Sequence, residues 1–245
     1  MADTATLSKG VQGVLMRAFR SRDYTIGVTG ARDIGPHYRR VSFEARDLLA
    51  AHPPYPSMWI RLWCPGPDRL YQRAYTLVNP DAAAGTFDLE FAMHERGYAM
   101  DLARTARPGD RVAVSVLTRD DYVQPDPLPP GFVMVADPAA LPAVNSIVAT
   151  LPAELEVRLW LGRQHDGDDE LALVEHPRLQ ATWVPHAQLT ARIAAGLHNV
   201  QGWYGWVCVD TAQTRAIKEL LRVATGAGKR EGHAMGYWTP GRSTG

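Results

Sequence analysis

Cysteine is almost absent from this chain: Cys64 and Cys208 are the only two in 245 residues. They lie far apart and fit neither a metal-type nor a C-x-x-C spacing, which excludes a disulfide scaffold and a zinc site and predicts two buried thiols. Excess charge of either sign is also missing, since 26 Lys and Arg balance 26 Asp and Glu. Without a clustered basic surface there is no electrostatic footprint for nucleic acid or an anionic membrane, and small-molecule chemistry is the better expectation. No apolar run is long enough to span a bilayer, and the first ten residues lack the apolar core and cleavage site of a secretory signal. Cytoplasmic location without integral membrane association is therefore expected. P-loop, H-E-x-x-H and G-x-G-x-x-G motifs are all missing as well.

What remains is ordinary folded protein, with 46% apolar and 21% charged residues. The length suits two modest domains. A proline-bearing loop, Gln124 to Gly131, separates an expected 1–124 domain from an expected 131–245 domain. Ser8 to Arg20 reads as a short basic amphipathic helix, best explained as a lid packed on its own domain.

The stretch Arg73-Ala74-Tyr75-Thr76-Leu77-Val78-Asn79-Pro80 organises the first half. Read as a strand, it puts Arg73, Tyr75 and Leu77 on one face and Ala74, Thr76 and Val78 on the other. A guanidinium fork two residues from an aromatic ring and three from a hydroxyl suits a phosphate-bearing dinucleotide, although the same pattern also describes an ordinary strand with a snorkelling arginine. Around it, Tyr24 to Val28, Tyr38 to Phe43, Met58 to Trp63, Thr86 to His94 and Arg111 to Val116 read as further strands, enough for a small barrel. Phe87, Leu89, Phe91 and Met93 form a buried face, and His94 ends that strand on its more polar side. Gly97 then opens a short helix, Tyr98-Ala99-Met100 onward, stopped at Arg107-Pro108-Gly109-Asp110. Its free N-terminal amides suit a pyrophosphate or simply cap the barrel.

The second half alternates strand and helix: strands near Phe132 to Ala136, Glu156 to Leu161, Gln180 to Val184, Gly205 to Val209 and His233 to Tyr237, with helices near Ala139 to Leu151, Leu189 to Leu197 and Thr211 to Thr225. That rhythm predicts a small doubly wound α/β domain. Asp137-Pro138-Ala139-Ala140 occupies its first strand-to-helix turn. Asp137 serves there either as a helix cap or as a residue facing a ligand at the carboxyl ends of the strands. His165 to Glu170 reads as a solvated acidic loop rather than a cation site, because calcium-loop spacing is missing. Lys218, Arg222, Lys229 and Arg230 read as a solvated face, and Trp203, Tyr204 and Trp206 as core.

Taken together, R-x-Y-T, a strand ending in histidine, a glycine leading into a short helix, A-R-P-G-D, the Gly35 to Phe43 strand, Ala136 to Val144 and Gly236-Tyr237-Trp238-Thr239-Pro240-Gly241 resemble the siderophore-interacting proteins, FAD-containing relatives of the ferredoxin reductases. The likeness runs from about Val28 to Gly241. It departs from the family pattern at Val78, where many members carry a second arginine, and at Tyr98, Leu102 and Ala139. The resemblance implies a Greek-key FAD-binding β-barrel followed by a Rossmann-like α/β domain of NAD(P)-binding type, with the C-terminal segment returning toward the flavin. It implies Arg73 on the FAD phosphate, Tyr75 and Thr76 at the flavin, and Leu77 and Val78 beside them. His94, Gly97, Tyr98, Ala99 and Met100 would seat the rest of the dinucleotide, Asp137, Ala139 and Ala140 would face a bound nicotinamide or the flavin edge, and Tyr237 and Trp238 would lie near the flavin ring. The implied activity is transfer of electrons from NAD(P)H or ferredoxin, through FAD, to a ferric siderophore. A non-catalytic flavin- or siderophore-binding protein and a general flavin-dependent reductase are the alternatives.

Overall fold

The computed structural model describes residues 22–116 and 122–241, which separate into two compact units, one on either side of 117–121. The helix expected over Ser8 to Arg20 lies outside the described residues. Both cysteines are buried, and neither forms a disulfide.

The first unit is a seven-stranded antiparallel sheet built from β1 (Arg22–Gly35), β2 (Tyr38–Glu44), β3 (Trp59–Pro65), β4 (Leu70–Thr76), β5 (Val78–Asp81), β6 (Thr86–Ala92) and β7 (Arg111–Val116). Two short helices interrupt it, α1 (Arg46–Ala51) and α2 (Tyr98–Thr105). The strand order is β4-β3-β7-β1-β2-β6-β5. β4 and β5 thus stand at opposite ends of the sheet, yet Leu77 alone separates them in sequence. A chain can meet both conditions only if the sheet curls until its ends approach, and the outcome is a half-barrel. Contact across that closure is direct, since the Tyr75 ring lies 4.4 Å from that of Phe91 on β6. β1 helps the sheet to bend. Its first part pairs with β7 and its second with β2, with register shifts after Val28 and after Asp33. Val41, Phe43, Ile60, Leu62, Leu89 and Phe91 fill the interior with no exposed surface.

The single strand expected through Val78 is broken at Leu77. Thr76 and Leu77 are both buried, so period-two alternation fails there. The Leu77 amide turns aside to bond the Met58 carbonyl at 2.8 Å. Burying a leucine side chain is worth about 1.5–3 kcal/mol, enough to override the alternation of one short strand. β6 likewise ends at Ala92 rather than His94, and α1 was not anticipated.

The second unit is a five-stranded parallel sheet made of β8 (Gly131–Ala136), β9 (Glu156–Arg163), β10 (Leu179–Pro185), β11 (Tyr204–Cys208) and β12 (His233–Ala234). Its helices are α3 (Leu141–Val148), α4 (Leu189–Gly196) and α5 (Thr211–Thr225). β8 is buried along its whole length, as a strand covered on both faces must be. The strand order is β10-β9-β8-β11-β12, so the chain starts in the middle, winds to one edge, then returns to build the other. This is a doubly wound sheet with its switch point between β8 and β11. Asp210 caps α5 by accepting from the Ala212 and Gln213 amides, and Gly226 ends that helix at φ 74°. α3 begins two residues later than expected, at Leu141, because 138–140 form a turn ahead of it.

Candidate functional site

In the first unit, Arg73 and Tyr75 share a face of β4, opposite Leu62 and Ile60 on β3. Tyr71 belongs to the same face, opposite Cys64. Both tyrosine rings have partners: Tyr75 packs on Phe91, and Tyr71 lies 4.5 Å from Tyr98, the first residue of α2. Arg73 therefore stands between two fixed aromatic side chains. Its Nη1 donates to the Gln72 carbonyl at 2.6 Å. Burial drives the Tyr75 phenol above its ordinary pKa, with Cys64 adding to the rise and Arg73 opposing it. Burial also pushes the Cys64 thiol up to about 12, again against the pull of Arg73. Neither group ionises near neutral pH, so Arg73 is the charge that this face presents.

The Tyr71–Tyr98 contact brings the 94–100 segment to β4. His94 is exposed and follows the strand instead of ending it, and its carbonyl accepts a bond from Arg104 of α2. Gly97 sits at φ 149°, backbone that favours glycine, and a Cβ there would lie 3.1 Å from the His94 ring. Asp101 N to Gly97 O, at 2.9 Å, is an early bond of the helix. The amides of Tyr98, Ala99 and Met100 are the ones an α-helix leaves for outside partners. A fixed guanidinium, aromatic faces and helix-start amides form a donor set that fits an anionic dinucleotide bearing a fused ring. Thr76, Leu77 and Val78 continue from Arg73 along the β4–β5 junction, with Thr76 and Leu77 buried.

In the second unit the remaining predicted residues gather at the carboxyl edge of the sheet. Asp137 follows β8 and has no exposed surface. Its Oδ1 accepts from the Ala139 amide at 3.0 Å, and its Oδ2 from Trp238 Nε1 at 2.7 Å and Gln164 Nε2 at 3.3 Å. Burial raises its pKa to about 6, against the lowering effects of Trp238, His186 and the Ala139 and Ala140 amides. Beside it, the Trp238 ring lies 5.5 Å from that of His186, whose Nε2 is 3.0 Å from Asp210 Oδ2. Burial acts to raise the pKa of Asp210, but bonds from Gln213, His186 and Ala212 outweigh it and hold the carboxyl below its usual range. Ala140 is buried behind this turn, and the Tyr237 amide bonds the Val209 carbonyl at 2.8 Å, aligning the 237–238 segment with β11. The switch point is therefore walled by Asp137, Asp210, His186 and Trp238. Of these the sequence pointed to Asp137 and Trp238; Asp210 directly precedes the Thr211–Thr225 helix, where a capping carboxylate is ordinary. His186 and Gln164 carried no signal, because each simply follows a strand. Tyr71 was legible, being two residues before Arg73 in the same alternation.

The Ala139 amide serves the chain's own carboxylate, so a pyrophosphate seat of the glycine-fingerprint type is not reproduced at this turn. The acidic 165–170 loop is also self-satisfied: Asp168 Oδ2 accepts from the Gln164 and His165 amides at 2.8 and 2.9 Å. Among the described residues no group of His, Cys, Asp or Glu is arranged to hold a metal.

Two family models match this sequence, "Siderophore-interacting FAD-binding domain" over residues 51–116 and "Siderophore-interacting protein" over 129–241. The chain belongs to the siderophore-interacting protein family. FAD is thus the cofactor that goes with its first domain. The Mycobactin import ATP-binding/permease protein IrtA of Mycobacterium tuberculosis is 33% identical over 98% of this chain, which spans 28% of that relative. Among solved structures, the siderophore-interacting protein SipS from Aeromonas hydrophila superposes with a TM-score of 0.75 at 22% identity, covering 89% of this chain and 99% of SipS. The Amycolatopsis cytochrome P450 reductase GcoB gives 0.70 at 24% identity, over 90% of this chain and 71% of GcoB. At these identities the likeness is one of fold: an antiparallel half-barrel followed by a parallel α/β domain of ferredoxin reductase type. No helix among the described residues is long and apolar enough to cross a membrane.

Proposed function

We propose that this chain is an FAD-dependent ferric-siderophore reductase that takes electrons from NAD(P)H or a ferredoxin and works at the cytoplasmic end of iron acquisition. The observation that supports this reading is the match of residues 51–116 to the family's FAD-binding domain, within which Arg73 shares a strand face with Tyr71 and Tyr75, whose rings pack on Tyr98 and Phe91. FAD, when bound, supplies the conversion between two-electron donors and one-electron acceptors. The side chains bind and orient. Arg73 neutralises a phosphate of the dinucleotide. Tyr75, braced by Phe91, gives the isoalloxazine region an aromatic neighbour, and Thr76 offers a hydroxyl at its edge with Leu77 and Val78 alongside. His94, Gly97, Tyr98, Ala99 and Met100 receive the other half.

The substrate is Fe(III) held by the hard oxygen donors of a siderophore. One-electron reduction to Fe(II) weakens that chelate and frees the metal, so no protein group need act as acid, base or iron ligand. Asp137, Ala139, Ala140, Tyr237 and Trp238 mark the donor side, at the carboxyl edge of the parallel sheet.

The test is an anaerobic titration of FAD-loaded protein, first with NADPH, then NADH, then a ferric siderophore. Bleaching near 450 nm on the order of one equivalent of nicotinamide, followed by recovery on the ferric chelate, is expected for a cofactor that relays electrons. Bound FAD that neither nucleotide reduces would assign the donor role to ferredoxin. Reduced FAD that ferric chelates leave bleached would refute the ferric-siderophore reading.

A further inference from the structure

The β3–β4 turn is built around one ring. Gly66, in this turn, closes it through a bond from its amide to the Arg69 carbonyl at 2.9 Å. A Cβ on Gly66 would lie 2.4 Å from Cε2 and 2.6 Å from Cδ2 of Tyr71, so only glycine leaves room for that side chain. Asp68 Oδ1 accepts from the Tyr71 hydroxyl at 2.9 Å, and the Arg69 guanidinium lies over the ring at 4.8 Å. Tyr98 meets the ring at 4.5 Å and 30°. Gap, hydroxyl anchor, cation and aromatic partner together hold a side chain that is only half-buried, and that degree of constraint is unusual for a residue whose task is core packing.

What the ring joins gives the constraint a purpose. Tyr71 stands two residues before Arg73 on the same strand face, and Tyr98 begins the helix of the 94–100 segment. We propose that Tyr71 and Tyr98 are cofactor-positioning residues that set the span between Arg73 and the 94–100 segment, and so make the site selective for FAD over FMN. This rests on the FAD reading above. FMN carries the flavin and one phosphate but no adenylate half, so it needs Arg73 and not the span. FAD needs both, and its affinity depends on the two being held at one separation before it binds.

The experiment compares dissociation constants of FAD and FMN, by flavin fluorescence, for wild type, Tyr71→Ala, Tyr98→Ala, Tyr71→Phe and Gly66→Ala, with the apo melting temperature of each. Tyr71→Ala and Tyr98→Ala are expected to weaken FAD about tenfold or more while FMN stays within about twofold, which is the loss of roughly 1.4 kcal/mol from one ligand only. Gly66→Ala, which displaces the ring without removing it, follows them. Tyr71→Phe keeps the ring and stays near wild type. Equal weakening of both flavins, or unchanged FAD affinity in both alanine variants, overturns the proposal, and a fall in apo stability that tracks the flavin losses assigns Tyr71 to structure alone. Wild-type protein that binds no FAD overturns the FAD reading itself, whereas wild-type binding with no change in selectivity overturns only the positioning role.

Discussion

Trp238 donates its indole N–H to Oδ2 of Asp137, 101 residues earlier, at 2.7 Å. The bond ties the C-terminal segment to the first strand-to-helix turn of the parallel sheet, on a carboxylate with no access to solvent. Removing the donor leaves that oxygen with the longer bond from Gln164 alone. Trp238→Phe is therefore expected to cost about 1–3 kcal/mol of unfolding free energy, the usual penalty for an under-satisfied buried acceptor, measured by urea denaturation.

The same carboxyl makes stability depend on pH. Its folded pKa is raised to about 6 from an ordinary 3.8, so between those values the native state binds more protons than the unfolded chain. Stability contributed by Asp137 is full below about pH 4 and declines as pH rises to 6. Comparing wild type with Asp137→Asn over pH 4 to 7 should show this slope in wild type and not in the variant, whatever the variant's absolute stability.

Asp210 acts in the opposite sense. Its pKa is held below the ordinary carboxylate value by the bonds it accepts, so its contribution is full at neutral pH and is lost as pH falls through the acid range. Asp210→Ala removes the α5 cap and the partner of His186 together, and a loss of about 1–2 kcal/mol is expected at pH 7 from the cap alone. Asp210→Asn should retain more than half of the cap's contribution in the same melts.

Arg73→Gln is expected to weaken FAD about 10- to 100-fold, the cost of roughly 1.5–3 kcal/mol for one charge-assisted phosphate contact. FMN should suffer alongside FAD, in contrast to the tyrosine variants. Equilibrium fluorescence with both flavins reads this directly, and unchanged affinity would remove Arg73 from the phosphate site.

Gly97→Ala places a side chain on backbone at φ 149° and against the His94 ring. A destabilisation of about 1–3 kcal/mol is expected, with FAD affinity lowered as the start of α2 shifts. Thermal melts of apo and FAD-loaded protein would separate the two effects.

Much of this was determined locally and was therefore readable from the chain. Period-two apolar runs such as Phe87, Leu89 and Phe91 mark a strand because side-chain direction is set by the backbone of that strand alone. The cap at Asp210 and the αL glycine at Gly226 bracket α5 over Thr211–Thr225, the bounds expected. The continuous apolar run of β8, with helices alternating after it, already required a parallel sheet, and the assembled motifs carried the family.

Other features belong to tertiary structure, because they depend on which distant groups meet. Leu77 left its strand's alternation for a bond to Met58 and burial in the core. The meeting of Tyr71 with Tyr98, and the junction of Asp137, Trp238, His186 and Asp210 at the switch point, follow from strand order, which no local pattern encodes. Sequence alone determined the fold class, most of the elements and the charged residue of the β4 face, since those rest on propensity and side-chain type. The partners that fix each functional side chain were decided only when burial removed water as the alternative partner and left neighbours from remote strands to take its place.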